Sequence, residues 1–378
     1  MLNPSLQLPT FRSAGNIVFG KNSIMALKGI ESSRVAIVVS PSILKNDVIL
    51  KRVLGNLRHH KYILIEKNWP ENFTADDLGD ALNKIESLGA DTIIAVGGGS
   101  VIDACKIIWL LYEHPEYFDD EDMSSKNIRL GGKSRFISIP TTIGSGSEVS
   151  SSAIIYNNIT QEKEAIVSHE FLSDLVILDP HMIMDLPLEL IISTACDALT
   201  HSIEGYISKI SNPFMDSFAK QSTKIILESG NEIINGLDEH LCDKLQLAAV
   251  MGGWVQNHCL TGGSHAIAHQ LAQFNISHAK ANAILLPSVI EENSKNKPIK
   301  QLYNSFAKDI GFTQGVSKMI QVIEDFRAIG NFKLRLSEYH KGIALDSISS
   351  GVYNDPSCRT NPVSINDSYI QNIIDKCN

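Results

Sequence analysis

Short apolar runs separated by amphipathic stretches mark the first half of the chain: Val35–Val39, Tyr62–Ile65, Thr92–Val96 and Phe136–Ile139. Each has the length and β-branched content of a strand, and an unbroken run rather than an alternating one predicts burial on both faces. Helix-like segments between the first three supply the crossovers that a parallel sheet requires. From Ser150 to Val167 two β-prone runs flank Asn157-Asn158, a pattern that predicts a hairpin. Beyond about Pro187 the texture changes. Apolar residues recur at helical spacing through Leu188–Ile207, Phe214–Leu227 and Cys242–Asn257, with few strand-like runs. The expected architecture is an α/β domain with a parallel sheet over residues 1–183, followed by an all-α domain over residues 184–378.

A chain of 378 residues exceeds what one hydrophobic core usually organises, so two domains with a cleft between them are expected. Hydrophobic residues make up 43% of the chain, yet no apolar run approaches the ~18 residues of a membrane span. The opening MLNPSLQLPTFRSAGN has no charged segment leading into an apolar one, so a cytoplasmic location is the expectation. A formal net charge of −9 offers no basic field to phosphate backbones and argues against nucleic-acid binding. The six cysteines are scattered without a CxxC pair, which points to reduced, buried small side chains rather than a zinc ribbon or disulfide framework. The acidic run Asp119-Asp120-Glu121-Asp122 reads as a solvated loop.

Two turns carry the first candidate chemistry. Gly97-Gly98-Gly99-Ser100 follows the third apolar run and opens a helix, where glycines admit a phosphate to backbone N–H groups and the helix dipole favours its charge. It is not a GxGxxG fingerprint, and a tight turn explains three glycines nearly as well. Pro140 to Val149, with Thr141, Thr142, Ser145 and Ser147, follows the next strand and offers hydroxyls at a strand's carboxyl end, where ligands bind in open α/β sheets. The pair of turns favours a nucleotide site. In the second half Asp197 and His201 stand four apart on one helix face, His265 and His269 repeat the spacing, and His278 follows. Burying carboxylate and imidazole without a metal or a partner is costly. Such a set without thiolate suits a divalent metal of intermediate softness, Fe²⁺ or Zn²⁺.

The segments GGGSVIDACK, PTTIGSGSEVS, CDALTHSIE, SHAIAH, SHAKANAILLP and the late NDPSCRTNP resemble, in order and approximate spacing, the signatures of the iron-containing (group III) alcohol dehydrogenases. The resemblance implies a dehydroquinate synthase-like fold, with a metal in the cleft between a dinucleotide-binding α/β domain and an all-α domain. It implies a metal-dependent alcohol dehydrogenase or aldehyde reductase that passes a hydride between NAD(P)H and a small aldehyde or primary alcohol, the metal polarising the substrate oxygen. Carried over by position, the metal ligands fall on Asp197, His201, His265 and His278. His269 falls near nicotinamide and metal and is the candidate proton relay. The diphosphate contacts fall on Gly97, Gly98, Gly99 and Ser100. Asp103, Thr141, Thr142, Ser147 and Lys163 fall around the cofactor.

Where many NAD-using relatives carry an aspartate after the first strand, this chain has Ser40, so NADP is favoured over NAD. Fe²⁺ is the expected metal, with Zn²⁺ as its substitute, and the assembly expected is a homodimer or larger homo-oligomer. After His278 the family usually has glycine; here Ala279 and Lys280 follow, and Lys280 either brings positive charge to the pocket or faces solvent. The rivals are a glycerol dehydrogenase-like polyol oxidoreductase, a dehydroquinate synthase-like lyase and a catalytically silent scaffold. The AspxxxHis pair at Asp197 and His201 favours the four-ligand alcohol dehydrogenase pattern.

Overall fold

A computed structural model of the chain describes residues 10–70, 73–118, 128–157 and 162–378, so the acidic run at 119–122 and the tip of the expected hairpin lie outside the described residues. The strands are β1 (Asn16–Phe19), β2 (Arg34–Val39), β3 (Lys61–Glu66), β4 (Thr92–Gly97), β5 (Arg135–Pro140), β6 (Ser152–Asn157), β7 (Glu162–Val167) and β8 (Leu175–Leu178). Between them run α1 (Pro41–Leu44), α2 (Asp47–Gly55), α3 (Gly79–Leu88) and α4 (Gly99–Glu113). Six strands form one parallel sheet in the order β1-β8-β5-β4-β2-β3, while β6 and β7 pair antiparallel as the expected hairpin.

The alternation of side chains divides the sheet's two faces between two cores. Val35, Ile37, Val39, Ile94, Val96, Ile137, Ile139 and Ile177 join the core shared with the helical half. Ala36, Val38, Ile93, Ala95 and Phe136 pack on the other side with residues of α3 and α4. One expectation needs correction: Tyr62–Ile65 is not buried on both faces, because β3 is an edge strand and Tyr62 is exposed. The sheet also contains β1 and β8, two four-residue strands that pair with each other.

From β2 the chain moves outward to β3, then crosses back so that β4 lies on β2's other side. That reversal opens a crevice at the carboxyl ends of β2 and β4, the position where open α/β sheets bind nucleotides. Ser40 and the glycine turn stand at its two sides, and the Ser40 N–H donates to Val96 O across them.

The helical half holds α5 (Leu188–Ile207), α6 (Pro213–Glu228), α7 (Gly230–Ile234), α8 (Glu239–Cys259), α9 (Gly263–Leu271), α10 (His278–Asn293), α11 (Lys297–Asp309), α12 (Val316–Ala328), α13 (Ser349–Asn354), α14 (Pro356–Thr360) and α15 (Asp367–Cys377). No strand follows β8 among the described residues, and α5 has the limits its apolar spacing predicts. Every residue of α5 from Ile191 to Ile207 is buried, as befits a helix packed on all sides by α6, α8, α9 and α10. Burying each of Ile192, Leu199 and Ile203 contributes about 1.5–3 kcal/mol, so this helix is rigid support for whatever its polar residues hold. None of the helices among the described residues is long and apolar enough to cross a membrane. The cysteines are free, and all but Cys358 are buried.

Candidate active site

Asp197, His201 and Glu204 lie on one face of α5, spaced by four and three residues, all buried. From α9 comes His265, and from the first turn of α10 comes His278. Ligand atoms of Asp197, His201 and His265 lie within 4.8 Å of one another. Asp197 Oδ1 is 3.7 Å from His265 Nε2 and 3.4 Å from His278 Nε2. A divalent ion with bonds of about 2.1 Å separates tetrahedral ligands by roughly 3.4 Å, so Asp197, His201 and His265 need little movement to share one, while His278, whose Nε2 also lies 3.1 Å from Asn282 Nδ2, stands outside that group of three. His201 Nδ1 and His265 Nε2 are buried without a hydrogen-bond partner, which is costly for an imidazole nitrogen unless something coordinates it. The donor set fits a divalent metal: one carboxylate and three imidazoles, with no thiolate.

Charge within the cluster follows from burial and neighbours. Burial pushes the Asp197 carboxyl up, but His278 and His201 beside it outweigh this and hold it well below the ordinary range. Burial lowers His201 to about 4 and drives His265 well below its usual value, helped by the neighbouring imidazoles. Both rings are therefore neutral near pH 7, the form that binds a metal. Burial pushes Glu204 up to about 7 against the backbone N–H groups of Ser264, Gly262 and His265 that lower it.

His269 stands beside the cluster rather than within it. Its ring stacks on His278 at 4.9 Å between centroids with 14° between planes, and lies 6.0 Å from His265. Its Nδ1 donates to Asp355 Oδ2 at 2.6 Å, which leaves Nε2 free of that carboxylate. Asp355 belongs to the NDPSCRTNP segment, where it also caps α14 by accepting from the Ser357 N–H at 2.8 Å. Asn282, one turn into α10, donates to Asp197 Oδ1 at 2.8 Å while its own oxygen accepts from Ser264. Glu204, Asn282 and Asp355 were not singled out in the sequence. Only the approach of α9, α10 and α14 to α5 reveals what they touch.

The two turns expected to face a nucleotide are brought together by the pairing of β4 with β5, and Thr141 N donates to Gly97 O at 3.0 Å. A Cβ on Gly98 would sit 3.2 Å from Thr142 Oγ1, and one on Gly99 would sit 2.5 Å from Ser145 Oγ. Larger residues would therefore fill this cradle. Gly97 is buried against Val101, whereas Gly98 and Gly99 are half-buried and Ser100 is exposed. The following loop reaches the Asp197, His201 and His265 cluster through a hydrogen bond between the Gly144 backbone and His201. The two candidate sites are thus parts of one cleft.

Behind the cradle, the Ser147 hydroxyl donates to Asp103. Buried Lys106 lies 3.8 Å from Asp103 and donates to the carbonyls of Ser150 and Ser152 at 2.9 and 2.8 Å, tying α4 to the hairpin. Burial raises Asp103 and pushes Glu148 up to about 7, while it lowers Lys106 to about 8. Ser40 caps α1, accepting from the Ile43 N–H, and its hydroxyl meets Ser42 at 2.9 Å. Lys163 lies on β7 opposite Tyr156, but its side chain is outside the described part of the chain. Lys280 is paired with Glu189 of α5 and is not a lone cation in the cleft.

The family profile "Iron-containing alcohol dehydrogenase" matches residues 14–180, and "Fe-containing alcohol dehydrogenase family, C-terminal" matches residues 191–377. The chain belongs to this family. It is accordingly an oxidoreductase of the alcohol dehydrogenase type. Among relatives, the NADPH-dependent butanol dehydrogenase of Clostridium saccharobutylicum is 30% identical over 376 residues, covering 95% of each chain. The aldehyde-alcohol dehydrogenase of Streptococcus pneumoniae is 35% identical over 244 residues, covering 61% of this chain but 27% of that longer protein. In three dimensions the iron-containing alcohol dehydrogenase of Thermococcus thioreducens superposes with a TM-score of 0.87 at 26% identity, covering 97% of this chain and 99% of that one. These matches favour the alcohol dehydrogenase reading over the lyase, polyol and scaffold alternatives.

Proposed function

We propose that the cleft between the sheet and the helices transfers a hydride between a nicotinamide cofactor and a small aldehyde or primary alcohol. In this reading Asp197, His201, His265 and His278 hold one divalent ion, Fe²⁺ or Zn²⁺. The observation that carries it is the pair of buried, unpartnered imidazole nitrogens on His201 and His265, gathered with His278 about Asp197. The ion supplies polarisation of the substrate oxygen, and the nicotinamide supplies or accepts the hydride.

The residues of the chain do the rest. Backbone groups of Gly97, Gly98, Gly99 and Ser100 receive the diphosphate at the start of α4, and Thr141 and Thr142 line the same cleft. Asp103 and Ser147 hold each other and so fix the loop that reaches His201. Lys163, on β7, is the lysine expected beside the cofactor. Ser40 stands where a carboxylate would repel a 2′-phosphate, so NADPH is accepted at least as well as NADH, as the name of the C. saccharobutylicum relative also suggests. Reducing an aldehyde consumes one proton besides the hydride. In this reading His269 delivers it, directly or through the cofactor's ribose hydroxyls.

The same reading takes residues 1–183 and 184–378 as the two domains, in keeping with family profiles that part between 180 and 191. It also takes a cytoplasmic homodimer or larger homo-oligomer, without nucleic-acid or membrane partners. The test is a panel of small aldehydes, including hydroxylated and acidic ones, assayed with NADPH and NADH after loading with Fe²⁺ anaerobically or with Zn²⁺. Aldehyde-dependent oxidation of either cofactor supports the reading. A folded, metal-loaded protein that oxidises neither cofactor with any aldehyde refutes it.

A further inference from the structure

Glu204 is a fully buried carboxylate that the chemistry above does not use, 1% exposed and three residues beyond His201 on the same face of α5. Its donors all come from one short stretch of chain. Oε2 accepts from the Gly262 N–H at 2.8 Å and from His265 Nδ1 at 2.8 Å, and Oε1 accepts from the Ser264 N–H at 2.6 Å. The His265 N–H lies 3.4 Å from Oε2. These N–H groups open α9, and Gly262, the residue that precedes the helix, offers no side-chain cap, so Glu204 caps α9 from a different helix. A Cβ on Gly262 would lie 3.1 Å from Oε1, so the close approach depends on that glycine.

We infer that Glu204 is a positioning residue for metal capture: it holds His265 as the Nδ1–H tautomer and thereby makes Nε2 the ligating atom. This rests on the reading of Asp197, His201, His265 and His278 as the ligand set. Both oxygens of Glu204 are held as acceptors by the backbone N–H groups of Gly262 and Ser264, so the ring nitrogen facing Oε2 is the one that carries the proton. The other nitrogen, Nε2, is buried without a partner and turned toward Asp197, 3.7 Å away. Backbone and ring of His265 are thus anchored to one side chain. Carboxylates that orient a ligating histidine typically account for a 10- to 100-fold part of metal affinity.

Glu204→Gln tests this role, and the ring tautomer of His265 separates it from helix capping. The amide oxygen, at the Oε1 position, still accepts from the Ser264 N–H, but the NH₂ group, at the Oε2 position, donates to His265 Nδ1 and no longer accepts from the Gly262 N–H, which puts the ring proton on Nε2, toward the metal position. Zn²⁺ affinity, measured by competition with a chromophoric chelator, should fall by about 10- to 100-fold. The thermal midpoint of the metal-free protein should fall with the loss of the acceptor for the Gly262 N–H, so affinity is read at a temperature where the variant is folded. His265→Ala is the companion. If it keeps unmodified affinity, the ligand reading itself has failed. If it loses affinity while a folded Glu204→Gln binds Zn²⁺ within about twofold of the parent, only the positioning role is overturned. A second readout needs no variant at Glu204: ¹⁵N-histidine NMR of the unmodified metal-free protein, with His265 assigned by difference from His265→Ala, should show the Nδ1–H tautomer. An Nε2–H tautomer there overturns the inference.

Discussion

In Asp355→Ala, His269 loses the acceptor of its Nδ1–H, a contact of 2.6 Å to a carboxylate whose side chain is 9% exposed. Hydrogen bonds to charged groups contribute about 1.5–3 kcal/mol. The His269 side chain is 38% exposed and solvent replaces part of what is lost, so the lower end applies. If about 1.4 kcal/mol of orientation is lost from the transition state, kcat/KM for the aldehyde falls about tenfold. The loss should fall on kcat, with metal content unchanged, because Asp355 touches no proposed ligand. The same substitution removes the cap of α14, which costs about 1 kcal/mol of stability and lowers the thermal midpoint. Asp355→Asn separates the two effects: asparagine caps as well as aspartate and offers a neutral acceptor, so stability is retained and the kinetic loss is smaller. Steady-state kinetics with NADPH, metal analysis and thermal melts on the two variants form the assay. A folded Asp355→Ala with kcat/KM within about twofold of the parent would refute the role given to this pair. Loss of the metal would instead mean that His269 is a ligand.

Three further outcomes follow from other parts of the cleft. Gly253→Ala places a Cβ 2.8 Å from Gly146 Cα and 2.9 Å from Val149 Cγ2, where α8 meets the loop after β5. Backbone cannot yield cheaply there, so about 1–3 kcal/mol of stability is lost and KM for the cofactor rises; an unchanged melt and KM would contradict this. Ser40→Asp keeps the cap on α1 and introduces a charge opposed to a 2′-phosphate, so the NADPH-to-NADH ratio of kcat/KM drops by about tenfold or more; an unchanged ratio removes Ser40 from the cofactor site. Burial raises Glu148 from its ordinary value to about 7, so the folded chain holds a proton between about pH 4.5 and 7 that the unfolded chain releases. Its contribution is present below pH 4.5 and lost as pH rises through 7. Glu148→Gln should accordingly flatten the decline in stability over that window, and urea melts at pH 5 and pH 7 showing the parent's slope would contradict it.

Local pattern sufficed where one element decides the outcome. The limits of α5 follow from its apolar spacing, and the face bearing Asp197 and His201 follows from helical periodicity alone. The strands β2, β4 and β5 were legible because they are buried on both faces. The short strands β1 and β8 were not, because four residues carry too little periodicity and their pairing spans most of the α/β half. The edge position of β3 depends on strand order, which no single strand records. Within the site, the ligand types could be read, yet Glu204 stands in the same CDALTHSIE segment without announcing itself. Its meaning comes from Gly262, Ser264 and His265, some sixty residues away. Asp355 is similar, since His269 reaches it across 86 residues of chain. Lys280 shows the reverse case: a cation conspicuous in the sequence is neutralised by Glu189 of another helix.

Metal dependence tests the central claim most directly. The protein purified anaerobically should contain about one divalent ion per chain, held by the four protein donors with a further position open to the substrate oxygen. Chelation should abolish NADPH-dependent aldehyde reduction, and Fe²⁺ or Zn²⁺ should restore it in the parent but not in Asp197→Ala or His265→Ala. Full turnover in the metal-free parent, or full metal content and turnover in either variant, would contradict the account.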